Sequence, residues 1–330
     1  MGKGNRARRR GRPKSSPTRW WLLGLAVIVL LAGVSFVYLS RPGATAGPRE
    51  VAVSDIEHVH GLAVDPFRPD VLWIGTHGSL IRVTGGTQWR RIGPQTYDMM
   101  GFNAHPVEPS VLLTSGHPGP KDRRPNPLGV ELSRDGGQTW QGLALPGLAD
   151  FHAMTISRAD PKRLWAANVS GRPGLYRSVD GGKGWEYLRD AGLPSIFALA
   201  AHPARAHVVL AGTVRGLFAS EDAGISWRLY SSSLSGLPVT AVDVHPKEPR
   251  VLYAYVVHPD LGLIRSADGG KQWVAVGFFL GERDAVGNLA LDPTDPQTLY
   301  FSTHGGDLYR SRDGGRTRER LVAGGKIVVP

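Results

Sequence analysis

Ser133-Arg134-Asp135-Gly136-Gly137-Gln138-Thr139-Trp140 decides the fold, because it recurs. It returns as SVDGGKGW (Ser178 to Trp185), SEDAGISW (Ser220 to Trp227), SADGGKQW (Ser266 to Trp273) and SRDGGRTR (Ser311 to Arg318). A sixth, damaged copy, VTGGTQW, ends at Trp89 and lacks the aspartate. The aspartates Asp135, Asp180, Asp222, Asp268 and Asp313 are 45, 42, 46 and 45 residues apart, and a near-fixed period of this length marks a repeat architecture. Within each copy the Asp carboxylate can accept from amides of its own loop, the Ser hydroxyl adds a local partner and the glycines supply positive φ. The closing Trp offers an apolar face and an indole N–H that needs an acceptor. Each copy is therefore expected to be a self-stapled turn between strands, not an active site.

In these residues the chain resembles the Asp-box (BNR-repeat) β-propellers, which include sialidases, sortilin-type receptors and photosystem II assembly-factor-like proteins. The resemblance implies a peripheral fold element and identifies architecture better than activity. Further stretches resemble a bacterial group of membrane-anchored or secreted propellers commonly labelled glycosylhydrolases. They are His58-Val59-His60-Gly61-Leu62, Thr76-His77-Gly78, Met100-Gly101-Phe102, Ser115-Gly116-His117-Pro118, Pro125-Asn126-Pro127-Leu128-Gly129 and Asp150-Phe151-His152-Ala153-Met154.

Aligned on the boxes, six units follow. Each has an apolar strand ending in a His-Pro or Asp-Pro turn, a second strand (VLWIGT, VLLTSG, RLWAAN, VVLAGT, VLYAYV, TLYFST), a third strand, the box and a fourth strand. Four short strands per ~45 residues is the pattern of a propeller blade. The expected fold is an all-β, six-bladed propeller over 51–330. Either Val51-Ala52-Val53 or the terminal Lys326-Ile327-Val328-Val329-Pro330 should add a strand that protects an edge.

The formal charge is +11, but residues 1–19 carry eight Lys and Arg and no acid, leaving +3 for the remainder. The basic balance therefore describes a tail, and nucleic acid is not an expected partner. Residues 20–39, WWLLGLAVIVLLAGVSFVYL, contain no charge, and 20 helical residues span roughly 30 Å, the thickness of a bilayer core. We expect a transmembrane signal anchor with the 1–19 tail in the cytoplasm, a 40–50 linker and the propeller outside the cell membrane. The alternative is secretion after signal cleavage near Ala46, where Ala44-Thr45-Ala46 offers a small-residue site. With no cysteine, disulfides, thiol catalysis and thiolate metal ligands are excluded. Asn168-Val169-Ser170 fits a glycosylation sequon.

The alignment sorts the histidines. His105, His202 and His245 occupy the position that Asp65 and Asp292 hold elsewhere, so they are expected as turn residues on the far face. His58, His60, His77, His117, His152, His258 and His304 map to the opposite face, where Met99, Met100 and Met154 begin inner strands beside Asp98 and Asp150. Strand side chains repeat every two residues, so His58 and His60 should point the same way. The candidate metal site is His58, His60, His77, His117, His152, Met99, Met100 and Met154, for a transition metal such as copper or zinc. The plainer alternative is histidines bonded to loop carbonyls and methionines filling the channel wall.

The proline-rich insertion 118–128 carries Arg123 and Arg124, candidates for binding a glycan or protein ligand, or else forms a rigid flap. Function follows in two forms. The first is a membrane-anchored extracytoplasmic binding or assembly module. The alternative is a glycoside hydrolase with Asp98 and Asp150 as catalytic carboxylates, drawn from a rim that also holds Asp260, Glu282 and Asp284, with Tyr97 as a conceivable nucleophile.

Overall fold

Apart from Met1, the computed structural model describes residues 50–189 and 192–328. The expected anchor at 20–39 and the 1–19 tail lie outside the described residues. Among those described, no helix is long and apolar enough to cross a membrane.

Six antiparallel sheets follow one another along the chain, each a blade. Their innermost strands are Val59–Val64, Met100–Ala104, Phe151–Ile156, Ile196–Ala201, Val239–Val244 and Val286–Leu291. These strands neighbour one another in sequence order, and the last lies against the first. That junction is bonded by the Asn288 amide, which donates to the Val59 carbonyl at 3.2 Å. The expected six-bladed propeller is what forms, with one 3-10 turn, Ser232–Leu234, as its helical content among the described residues.

The second strands are covered on both faces by neighbouring blades, which is why they read as apolar runs and not as alternation. Val71–Thr76, Leu164–Asn168, Val209–Thr213 and Leu252–Val256 are buried at every residue. The cores lie between blades: Trp73, Leu80 and Ile92 of blade 1 pack with Met99, Phe102 and Leu112 of blade 2.

The recurring turns are stapled as their chemistry requires. In the first, the Ser133 hydroxyl donates to Asp135 at 2.8 Å and accepts the Gly137 amide at 2.8 Å, while Asp135 accepts the Thr139 amide at 2.9 Å. The same Ser–Asp and Ser–Gly bonds recur at Ser178, Ser220, Ser266 and Ser311. Each turn also joins two blades. Gly137 has φ +85°, and a Cβ there would lie 2.2 Å from Leu80 Cδ2 of the preceding blade.

The indole N–H of Trp140, Trp185 and Trp227 donates to the carbonyl of the second Gly position, at 3.1, 2.8 and 3.0 Å. In the last copy Arg318 stands in for Trp chemically. Its Nη1 donates to Gly315 O at 2.7 Å and its guanidinium lies 4.9 Å from the Phe278 ring centre.

Both terminal segments close the ring. Glu50–Ala52 adds an outer strand to blade 1 by pairing with Gln88–Ile92, and Lys326–Ile327 adds a fifth strand to blade 6. The two meet where Asp55 bridges Lys326 and the Ile56 amide donates to Gly325 O at 2.8 Å.

Candidate functional site at the channel mouth

The six innermost strands surround a central cavity of about 250 Å³. Near its start every one of them carries extra residue length against its partner strand, a β-bulge. It falls at His60, Gly101-Phe102, His152, Phe197, Thr240 and Gly287. A bulge re-aims the side chain it carries, and His60, His152 and Phe197 line the cavity. The period-of-two argument for His58 and His60 therefore does not apply, although their rings do meet, edge-on at 4.9 Å between centres.

Two sets of donors stand at this mouth. In the first, His60 Nε2 and His77 Nδ1 are 3.0 Å apart, His60 Nε2 is 3.5 Å from Asp98 Oδ1, and His77 Nδ1 is 3.7 Å from Asp98 Oδ2. Among the described residues these three form the one His/Asp/Glu set whose donor atoms all lie within 4.8 Å of one another. Burial, with His58, His77 and His152 nearby, pushes His60 down to about 3, so its imidazole is neutral at ordinary pH. Burial also lowers His58, helped by His304, whose ring stacks on it at 6.0 Å.

In the second set, His152 Nε2 and His117 Nε2 approach the same oxygen, Asp150 Oδ2, at 2.9 and 3.1 Å. The other ring nitrogen of His117 is 2.7 Å from Asn126 Oδ1. That bond raises the His117 pKa, assisted by Asp150 and Asp98.

The two carboxylates are driven apart. Burial raises Asp98 against the pull of His77 and His117, with Asp150 adding repulsion. Asp150 is just as subject to burial, but its bonds to His152 and His117 outweigh it and hold the carboxyl below the usual range. Asp98 and Asp150 are 8% and 2% exposed, and each keeps one Oδ1 without a hydrogen-bond partner among the described residues.

The other residues named from sequence divide. Met99, fully buried, packs with Trp73 and Leu112; Met100 and Met154 are also buried, Met154 with Val130 and Phe151. Met99 and Met154 thus pack in the blade interfaces, and Met154 also lines the central cavity. Arg124 is occupied internally, bonding Glu131 at 2.6 Å and Asp122 at 2.8 Å and lying over the Tyr97 ring at 4.8 Å; Arg123 is exposed.

Tyr97 is corrected as a nucleophile. It is 2% exposed, and burial, with Glu131 close by, drives its hydroxyl far above the usual phenol range. His258 bonds within its own loop, accepting from the Asp260 amide at 3.3 Å. Asp260 and Glu282 are exposed, and Asp284 caps the Ala285 and Gly305 amides. Asn168 is also a correction: it is 3% exposed, and its amide group staples its loop by donating to Ser170 O and Arg172 O.

His105, His202 and His245 behave as their alignment with Asp65 requires. Each Nδ1 accepts a turn amide, at 3.0 Å from Glu108, 3.2 Å from Arg205 and 2.9 Å from Glu248, as Asp65 Oδ1 does from Arg68 at 3.0 Å. An accepting Nδ1 must be unprotonated, and burial lowers all three, His202 to about 4.

Asn126 was missed as a site residue. It belongs to the insertion 118–128, and its role depends on the loop folding back, with the Leu128 amide on Gly116 O at 2.8 Å, so no spacing along the chain reveals it.

The fold and this mouth define a six-bladed β-propeller with a His/Asp-lined opening. No protein-family model matches the sequence, and neither does any curated protein. Among solved structures it is similar to a GH74 xyloglucanase from Xanthomonas campestris. The identity is 20% and the TM-score 0.54, covering 82% of this chain and 54% of that one. It is likewise similar to a GH74 enzyme from Niastella koreensis, at 14% identity and TM-score 0.58, covering 82% and 46%. YCF48 bound to D1 peptide aligns at 16% identity and TM-score 0.49, covering 83% and 85%. The chain spans about half the length of the two GH74 proteins. At these identities the GH74 likenesses establish the fold.

Proposed function

We propose that this chain is a membrane-anchored, extracytoplasmic binding propeller whose mouth carries a divalent transition-metal ion on His60, His77 and Asp98 and presents it to a glycan or protein ligand. The observation that carries the reading is the convergence of these donors: the two nitrogens are 3.0 Å apart, and Asp98 presents Oδ1 at 3.5 Å from His60 and Oδ2 at 3.7 Å from His77. Ligands held 2.0–2.1 Å from a tetrahedral zinc lie about 3.3 Å apart, and here one nitrogen of each histidine and one oxygen of Asp98 lie within 4.8 Å of one another, near enough for small side-chain adjustments to seat one ion. Asp98 Oδ1 is a buried carboxylate oxygen without a hydrogen bond among the described residues, an unmet acceptor that a cation would satisfy. The donors brought together are imidazole and carboxylate, which favours zinc, nickel or iron over copper(I).

The test is metal-stripped protein titrated with zinc chloride by calorimetry. We expect a saturable ion whose affinity falls at least about 100-fold in His77→Ala, since His77 supplies one of only three protein ligands. Absence of any bound zinc, nickel or iron in the wild type overturns the reading.

Glycoside hydrolysis by Asp98 and Asp150 is the second reading. It is favoured by the opposite displacement of their pKa values, which is how an acid and a base are set apart in one site. The xyloglucanase likeness bears on fold alone. Release of sugar from a glycan panel, lost in both Asp98→Asn and Asp150→Asn, would put this reading first.

A further inference from the structure

We propose that the mouth holds a second divalent metal ion, on His117, His152 and Asp150, beside the one on His60, His77 and Asp98. The inference rests on the single-ion reading above and extends it.

Both donor sets are assembled from the same kinds of positions. Each takes one imidazole from an inner-strand bulge, His60 or His152. Each takes another from the loop after a second strand, His77 after Val71–Thr76 or His117 after Leu112–Ser115. Each takes its carboxylate from the segment leading into an inner strand, Asp98 or Asp150. The two are built on one backbone network, since the Asp98 amide donates to the His117 carbonyl at 3.1 Å.

Two further observations point to a ligand at the second set. Asp150 is 2% exposed, yet its Oδ1 has no hydrogen-bond partner among the described residues. An unsatisfied buried oxygen is unfavourable, the more so when charged, and a cation removes that penalty. The second is His117, whose Nδ1 is engaged by Asn126 Oδ1 at 2.7 Å. A metal-binding histidine characteristically donates its other ring N–H to an oxygen of this kind, which fixes the ring and leaves Nε2 for the ion.

Both Nε2 atoms bond Asp150 Oδ2, at 2.9 and 3.1 Å. The imidazoles flank the carboxylate and do not yet converge with it as the first set does. The side chains of His152 and His117 are 45% and 44% exposed, so an ion reaches both from solvent, and His152, which lacks a partner like Asn126, is the ring that turns toward an ion seated between Asp150 and His117. The donor chemistry again takes zinc, nickel or iron.

The experiment counts ions. Purified full-length protein is stripped with chelator, saturated with zinc chloride, desalted and assayed for zinc per chain by mass spectrometry. Folding of each variant is checked by circular dichroism and thermal unfolding. We expect two ions in the wild type and one each in His117→Ala, His152→Ala and His77→Ala. Asn126→Ala, which removes no ligand, should retain both sites with the weaker site at least about 10-fold weaker.

One ion in the wild type, unchanged in His117→Ala, would overturn the second site and leave the first standing. No ion would overturn both. Two ions that persist in His117→Ala and His152→Ala, or two that vanish together in a folded His117→Ala, would overturn this assignment of donors.

Discussion

Asp243, half-buried, lines the channel from the inner strand of blade 5, and burial pushes its carboxyl up to about 7. Two amides offset part of that penalty: Val244 N donates to Oδ1 at 2.8 Å and Leu291 N to Oδ2 at 3.2 Å. In the unfolded chain an aspartate titrates near 3.9, so between about pH 4 and pH 7 the folded state keeps a proton that the unfolded state has released. Stability from this group is therefore greatest in acid and is lost as pH rises to 7. From pH 5 to pH 7 the loss is at most about 2.7 kcal/mol. Channel water can relax the charged form, so about 1–2 kcal/mol is expected in practice.

Asp243→Asn removes the titration and one of the two amide bonds, at about 1 kcal/mol. Urea unfolding at pH 5 and pH 8 should thus show the wild type more stable than the variant at pH 5, with the gap closed or reversed at pH 8. Every other titratable group is common to both proteins, so the difference isolates Asp243. Parallel pH profiles within about 0.5 kcal/mol would refute the placement of this carboxyl in a low-dielectric wall.

The turns give a paired test in Gly136→Ala and Gly137→Ala. Both residues have positive φ, but a Cβ at 136 meets only Trp73 at 3.9 Å whereas one at 137 runs into Leu80 of the neighbouring blade. Chemical denaturation should show about 1 kcal/mol lost for the first and about 2–4 kcal/mol for the second, and equal losses would deny the turn its role between blades. Arg318→Ala should destabilise by about 1–2 kcal/mol through the bond to Gly315 O and the stack on Phe278, while Arg318→Trp restores most of it. A thermal melt in which Trp fares worse than Ala would show that Arg318 does not substitute for the aromatic.

Much of this was legible in the sequence because repetition turns a weak local signal into a ruler. One Ser-x-Asp-Gly-Gly turn says little, but five at a near-constant period fix six blades, and the blades carry His60, His77, His117 and His152 to one face. What stayed hidden was set by contacts far apart in the chain. Closure by both terminal strands depends on Asp55 meeting Lys326, and the role of Asn126 depends on a loop folding back onto His117. The methionines were misleading for a chemical reason: a thioether serves equally as a soft ligand and as a filler of irregular gaps, and beside Trp73 and Phe151 it fills. Tyr97 misled similarly, since nothing local shows that its hydroxyl is buried and its ring covered by Arg124.

The bulge explains why a site can exist at this mouth at all. Along the channel the inner-strand polar groups are already spent on holding the ring. Asn103 donates to Met154 O at 2.8 Å, Thr155 accepts the Ala201 amide at 3.0 Å, and Asn288 reaches Val59 O. A regular strand would put its first polar side chains to the same use. The extra residue breaks that register at one level of the ring and turns His60 and His152 into the opening, where their partners are Asp98, Asp150 and the loop histidines. The feature that defeats the period-of-two reading is thus the one that frees these imidazoles from structural duty. Deleting His152, so that Phe151 is followed by Ala153, would restore register to the blade 3 strand. It should leave the propeller folded while removing His152 from the mouth, whereas wholesale unfolding on that deletion would mean that the bulge is required by the ring itself.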